Sequence, residues 1–196
     1  MINVYDDFFS EEIREEIWNL LGRNKWGCGG GIKNGSLGNW FWHMENLEDE
    51  SYFNDYLYNL ISDKLGKKYQ IGRIYANGQS AGQSGYPHID GGDVTFLYYP
   101  NPDWKLNWNG HLIFSEDGEE PTKIIGYKPN RAILFSSDIL HYADAPHSYF
   151  PGFRISLAYK FIEPYGSKHM KLEFENKFGI EIGSKNLDIG SKKCLN

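Results

Sequence analysis

The sequence predicts a mostly β chain with flanking helices: a double-stranded β-helix, or jelly roll, with N-terminal helices packed on one sheet. Three observations lead there. From residue 69 onward, short apolar and aromatic runs recur between glycine, proline, asparagine and aspartate, as in a two-sheet β architecture. Before residue 69, two segments carry apolar residues at helical spacing. Aromatic residues make up 16% of the chain, with 14 tyrosines and 12 phenylalanines, side chains that favour strands. A length of 196 residues suits one domain with a sizeable core. We divide it into a helical and glycine-rich region (1–68), a jelly-roll core (69–162) and a C-terminal arm (163–196).

The first helix spans Ser10 to Leu21. Ser10 is placed to cap it, Glu11 and Glu12 suit its positive end, and Ile13, Ile17, Trp18, Leu20 and Leu21 form the apolar stripe. Gly22 follows as a stop. A second helix runs from about Ser51 to Leu65, with Phe53, Leu57, Leu60, Ile61 and Leu65 on its buried face and Gly66 as its stop. Between them, Trp26 to Met44 holds six glycines and the run Trp40, Phe41 and Trp42. So many glycines oppose regular structure. The segment reads either as a surface loop or, over 27–38, as a mobile lid whose aromatics touch substrate.

Eight strands are expected next, at 69–78, 86–90, 94–100, 111–116, 122–127, 131–136, 139–142 and 153–162. The arm carries a short echo, IEIGSK and LDIGSK, too brief for a repeat architecture.

Composition narrows the function classes. The net charge is −6 without a basic run, and residues 1–162 carry 14 bases against 21 acids. A phosphate-tracking nucleic-acid groove or an anionic-membrane surface is therefore not expected. Two cysteines, Cys28 and Cys194, are too few for a disulfide framework. No apolar run approaches a membrane span, and nothing resembles a signal peptide, so a cytoplasmic protein is expected.

The residues that carry chemistry are His88, Asp90, His141 and Arg154. His88 and Asp90 stand at i and i+2, so a strand would point both to one face. His141 completes a two-histidine, one-carboxylate set, the facial arrangement that holds non-haem Fe(II) and leaves positions open. Arg154 offers a planar cation suited to gripping a carboxylate. His147 is a rival for His141. We prefer His141 because it lies in the extended run ILHYA, whereas 143–152 reads as the turn into the last strand. Antiparallel pairing about that turn would set His141 across from Arg154 and leave His147 at the tip. His111 is expected at the rim. His43 and His169 read as structural or surface residues.

The blocks HID, FLYYPNPDWKLNWNGHLIF, KPNRAILFSSDILHYADAP and GFRISLAYKF, across residues 69–162, together resemble the prolyl 4-hydroxylase-like branch of the Fe(II)- and 2-oxoglutarate-dependent dioxygenases, in its compact bacterial and phage form. The resemblance implies a single oxygenase domain with Fe(II) on His88, Asp90 and His141. Arg154 would pair with the distal carboxylate of 2-oxoglutarate. Tyr99 would donate to that carboxylate; Thr95, Leu97 and Tyr99 share a strand face, so Tyr98 is expected to point the other way. Tyr75 matches a second co-substrate tyrosine, and Ser156 lies on the face of Arg154. The implied reaction consumes O2, with ascorbate as an accessory reductant, and hydroxylates a C–H bond. Asp90 sets the chain apart from halogenases of this superfamily, which lack that carboxylate.

The chain departs from the pattern at Asn109, which replaces the first glycine of a Gly-Gly pair. The substrate reading is a prolyl residue in a peptide or protein, with Tyr86, Trp40 and Trp42 as candidate contacts. The alternatives are hydroxylation of a free amino acid or other small molecule, and a non-catalytic jelly-roll module that binds a ligand. Residues 1–196 would then act in the cytoplasm, including that of a bacterium hosting a phage.

Overall fold

The computed structural model describes residues 1–29 and 41–163. Residues 30–38 of the expected lid, Trp40, the echo, His169 and all of the arm beyond residue 163 lie outside them.

Among the described residues, ten strands form two antiparallel sheets. They are β1 (Ile2–Tyr5), β2 (Gly27–Gly29), β3 (Phe41–Met44), β4 (Gln70–Gln79), β5 (Val94–Tyr98), β6 (Leu112–Ser115), β7 (Lys123–Ile125), β8 (Ala132–Ser136), β9 (Leu140–Ala143) and β10 (Arg154–Ile162). The larger sheet has the order β1-β8-β5-β10-β4-β3-β2 and the smaller one β7-β6-β9. The chain thus has the predicted mostly β, two-sheet architecture with helices on one face.

Strand alternation builds two cores. Along β5, Phe96 and Tyr98 face the helices, while Leu97 and the following Tyr99 face the smaller sheet. Along β10, Ile155, Leu157, Tyr159 and Phe161 join the helix side, and Ala158 joins the inter-sheet side. Helix α1 (Glu11–Leu21) buries Ile17 and Leu21 in the first core. Helix α2 (Tyr58–Leu65) adds Ile61.

Several expectations are corrected. Ser10 occupies the cap position of α1, but its side chain makes no capping bond; its carbonyl accepts from Arg14 N–H at 3.1 Å. The second helix opens with a π-helical segment, Tyr52–Leu57, before α2 begins. Phe53, Leu57 and Ile61 recur every four residues. At about 3.6 residues per turn that interval drifts around the axis, and a wider turn reduces the drift. The stop at Gly66 is as expected. Its φ of 64° is left-handed, and Gly66 and Lys67 donate to Asp63 O (3.2 Å) and Ser62 O (3.1 Å), a Schellman ending.

Strand β1 was not expected, and the glycine-rich segment is not wholly irregular. Gly27–Gly29 pairs with Phe41–Met44, which pairs with β4. The aromatic run supplies the strand propensity that the glycines lack. Residues 86–90 do not form a strand. They contribute one bridge, His88 with His141. Pro87 has no N–H to extend a ladder. Gly92, at φ 88°, then turns the chain so close to β10 that a Cβ there would meet Phe161 O at 2.8 Å.

Pairing of β9 with β10 is also overturned. β9 lies on β6 in the smaller sheet, whereas Arg154 begins β10 in the larger one, opposite Gln79. The intervening segment crosses between sheets, and Pro146 and Pro151 interrupt any ladder there.

Candidate active site

His88, Asp90 and His141 come together despite the missing strand. His88 N–H donates to His141 O (3.0 Å) and His141 N–H to His88 O (2.9 Å), so this single bridge places both rings. Asp90 N–H donates to Ser137 O at 2.9 Å, which fixes the carboxylate beside them. One ligand atom from each of the three lies within 4.8 Å of the others.

The rings are oriented from behind. His88 Nδ1 lies 2.8 Å from Tyr86 O, and His141 Nδ1 lies 2.8 Å from Ile139 O. A carbonyl accepts only, so each Nδ1 carries the proton and each Nε2 is left as the donor atom for a metal. The two Nε2 atoms face Asp90, at 3.5 Å from Oδ1 for His88 and 3.3 Å from Oδ2 for His141. Phe114 and Phe135 pack against the His141 ring with centroids 5.9 and 4.7 Å away, an apolar wall that fixes its rotamer. Burial alone would raise the Asp90 carboxyl. The His141 and His88 side chains beside it and the charge of Lys160 outweigh it and hold the group far below the usual carboxylate range.

A second polar centre lies at the start of β10. Arg154 is buried; its Nε donates to Gly110 O at 2.9 Å and its Nη1 to Gln79 Oε1 at 2.7 Å. Among the described residues its Nη2 has no hydrogen-bond partner, and neither has the fully buried Tyr99 hydroxyl. The guanidinium lies 5.3 Å from the Tyr99 ring centroid and 5.0 Å from that of Tyr127, which stacks on Tyr99 at 4.1 Å. Burial pushes the Tyr99 phenol up, against the opposing charge of Arg154, so it remains a donor at neutral pH. Two buried donors without an acceptor, one of them cationic, fit a carboxylate.

The turn before β6 presses on this centre. At Gly110, φ is 74° and a Cβ would meet Arg154 Cδ and Nε at 3.0 Å. Asn109 sits at φ 55° and ψ −132°, backbone that glycine adopts far more readily. The Gly-Gly pattern from which Asn109 departs thus has a steric reason.

The other expected residues are distributed as follows. Tyr75 lines a cleft of about 430 Å³ with His88, Asp90 and Lys160, and it also packs against the inter-sheet core that holds Tyr99. Ser156 is buried two residues beyond Arg154, opposite Asn77. Tyr86 is exposed and supplies the carbonyl behind His88. Trp42 packs edge-on against Phe153 with centroids 6.1 Å apart, and Trp26 does so at 5.0 Å while donating Nε1–H to Leu21 O at 2.8 Å. Trp26 thus ties the end of α1 to Phe153. His147 lies outside the triad; its ring lies tilted against that of Tyr149, with centroids 3.8 Å apart. His111 is half-buried, with its backbone N–H on Asp144. His43 sits on β3 opposite Asn77.

Sequence reasoning missed Lys160. Its ammonium contacts Asp90 Oδ2, and its side chain is 12% exposed. Strand parity could have found it, since Arg154, Ser156, Ala158 and Lys160 share one face of β10.

No protein-family model matches the chain, and no curated protein matches its sequence. Solved structures do match, and they show the fold: the chain has a double-stranded β-helix like that of 2OG-Fe(II) oxygenases, prolyl hydroxylases among them. One neighbour is an oxidoreductase of the 2OG-Fe(II) oxygenase family from Burkholderia pseudomallei, with TM-score 0.64 and 13% identity, covering 85% of this chain and 86% of that one. A prolyl hydroxylase from Trichoplax adhaerens, in complex with a hypoxia-inducible-factor oxygen degradation domain peptide fragment, matches with TM-score 0.60 and 20% identity over 83% of each chain. HygX from Streptomyces hygroscopicus, with nickel and 2-oxoglutarate bound, matches with TM-score 0.62 and 11% identity over 85% of this chain and 84% of its own. Among the described residues, no helix is long and apolar enough to cross a membrane.

Proposed function

We propose that this protein is an Fe(II)- and 2-oxoglutarate-dependent dioxygenase that hydroxylates a C–H bond, and that its substrate is a prolyl residue in a peptide or protein. The observation that carries the reading is the pairing of a His-Asp-His set with a buried, unsatisfied Arg154–Tyr99 donor pair on the same fold. His88 Nε2, Asp90 and His141 Nε2 would hold the iron. When bound, iron supplies the oxygen chemistry: 2-oxoglutarate and O2 become succinate and CO2, and one oxygen atom enters the substrate.

The protein's own part is placement. Arg154 Nη2 and the Tyr99 hydroxyl would grip the distal carboxylate of 2-oxoglutarate, with Ser156 adjoining. The aromatic rings around Arg154 exclude water and strengthen that contact. Tyr75 and Lys160 border the cleft in which the reacting group would lie. The exposed Tyr86 and Ile89 offer apolar contacts beside the metal ligands, suited to a pyrrolidine ring. The peptide bound in the Trichoplax adhaerens neighbour adds support for a peptide substrate.

The test is incubation with Fe(II), 2-oxoglutarate, O2 and ascorbate and a panel of proline-containing peptides, free proline and oligonucleotides, read by mass spectrometry. Gain of one oxygen on a peptide with stoichiometric succinate is expected. Oxygen on free amino acids or oligonucleotides alone would overturn the substrate reading.

A further inference from the structure

The two oxygens of Asp90 have different surroundings. Oδ1 lies 3.5 Å from His88 Nε2 and accepts no hydrogen bond from a threonine or lysine among the described residues. Oδ2 accepts from Thr95 Oγ1 at 2.7 Å, contacts the Lys160 ammonium and lies 3.3 Å from His141 Nε2. Lys160 and Thr95 are direct cross-strand partners on β10 and β5, so the register of the sheet brings both donors to one point. Lys160 Nζ also lies 3.2 Å from Thr95 Oγ1, and that hydroxyl lies 3.1 Å from Ser137 Oγ. Thr95 is fully buried, and the Asp90 backbone is tied to Ser137, so the carboxylate has little freedom to roll. An ammonium has donors and no acceptor, so Lys160 can hold the carboxylate but cannot ligate a metal.

Resting on the metal-site reading above, we propose that Lys160 and Thr95 are positioning residues that saturate Oδ2 of Asp90 and so confine a bound metal to Oδ1. A carboxylate can bind a metal through one oxygen or through both. The two-histidine, one-carboxylate set works by leaving positions open, and a second oxygen from Asp90 would fill one that 2-oxoglutarate needs. The donors on Oδ2 keep that oxygen occupied. The positive charge of Lys160 also opposes approach of a second cation to the same lone pairs.

Cobalt(II) under anaerobic conditions is the probe. Wild type, Lys160→Met, Lys160→Arg and Thr95→Val are compared by calorimetric titration with Co(II), by titration of the loaded proteins with 2-oxoglutarate, and by Co(II) visible spectra. Metal-free melting curves check that each variant is folded. Lys160→Met is expected to bind 2-oxoglutarate about tenfold more weakly, the scale of losses seen when outer-sphere partners are removed. Its Co(II) affinity should hold or rise, and its Co(II) spectrum should differ from wild type before any 2-oxoglutarate is added. Thr95→Val should shift the same way by less, and Lys160→Arg should restore wild-type behaviour. Unchanged 2-oxoglutarate affinity in both Lys160→Met and Thr95→Val overturns the proposal. So does a parallel fall in Co(II) and 2-oxoglutarate affinity, which would mean that Lys160 merely builds the site. Failure of wild type to bind Co(II) at all would instead remove the metal reading beneath it.

Discussion

Tyr99→Phe separates a functional hydroxyl from a structural one, because the two roles predict opposite signs. The Tyr99 ring is fully buried and stacked on Tyr127 at 4.1 Å, contacts that phenylalanine keeps. Among the described residues its hydroxyl has no hydrogen-bond partner. A buried, unsatisfied polar group costs roughly 1–3 kcal/mol, so deleting it should leave the ligand-free protein as stable as wild type or raise its melting temperature. The same deletion should weaken 2-oxoglutarate. A hydrogen bond to a charged group is worth roughly 1.5–3 kcal/mol, which is about 10- to 150-fold in affinity. Melting of the metal-free protein and calorimetric titration of the Co(II)-loaded protein give the two numbers. A lower melting temperature with unchanged 2-oxoglutarate affinity would refute the reasoning, since the hydroxyl would then serve the fold and not the ligand.

Three further outcomes are expected. Arg154→Ala should weaken 2-oxoglutarate more than Tyr99→Phe does, by about 2–5 kcal/mol, while Co(II) affinity changes little; Arg154→Lys should recover only part, having no planar fork. Asn109→Gly should raise stability by about 1 kcal/mol in chemical denaturation by relieving the positive-φ backbone, and no gain would show that the turn absorbs the strain elsewhere. Asp6 supplies a pH dependence. Its paired contacts with Arg131, at 2.7 and 3.1 Å, lower its carboxyl from 3.8 to about 2. A depressed folded value stabilises above the unfolded value and is lost as pH falls through the folded one. Asp6→Asn should therefore flatten the fall in stability between about pH 4 and pH 2, measured by thermal melting, relative to wild type.

Much of the fold was legible because strand periodicity is a local signal. Thr95, Leu97 and Tyr99 were assigned one face and Tyr98 the other, and the two cores divide along that line. His88, Asp90 and His141 were singled out by residue type and spacing, and they do converge. The route to convergence was not legible. A strand over 86–90 was expected to align His88 with Asp90, but Pro87 forbids a ladder and one bridge to His141 suffices. Nor does sequence say which sheet a strand joins, so β9 was wrongly set against β10. The strand pair formed by β2 and β3 was hidden by glycines whose order comes from an aromatic partner strand. Lys160 was overlooked because a lone lysine in a strand usually faces solvent. Strand parity puts it on the face of Arg154, and the register opposite Thr95 brings it to Asp90.

The most direct measurement of the central claim is an anaerobic Co(II) titration followed by visible absorption, with and without 2-oxoglutarate. It is carried out on wild type and on the alanine variants of His88, Asp90, His141 and His147. The account predicts a single bound equivalent in wild type and in His147→Ala, a spectrum that 2-oxoglutarate perturbs, and loss of binding in the other three. Binding that survives His141→Ala but fails in His147→Ala, or a wild-type spectrum indifferent to 2-oxoglutarate, would contradict it.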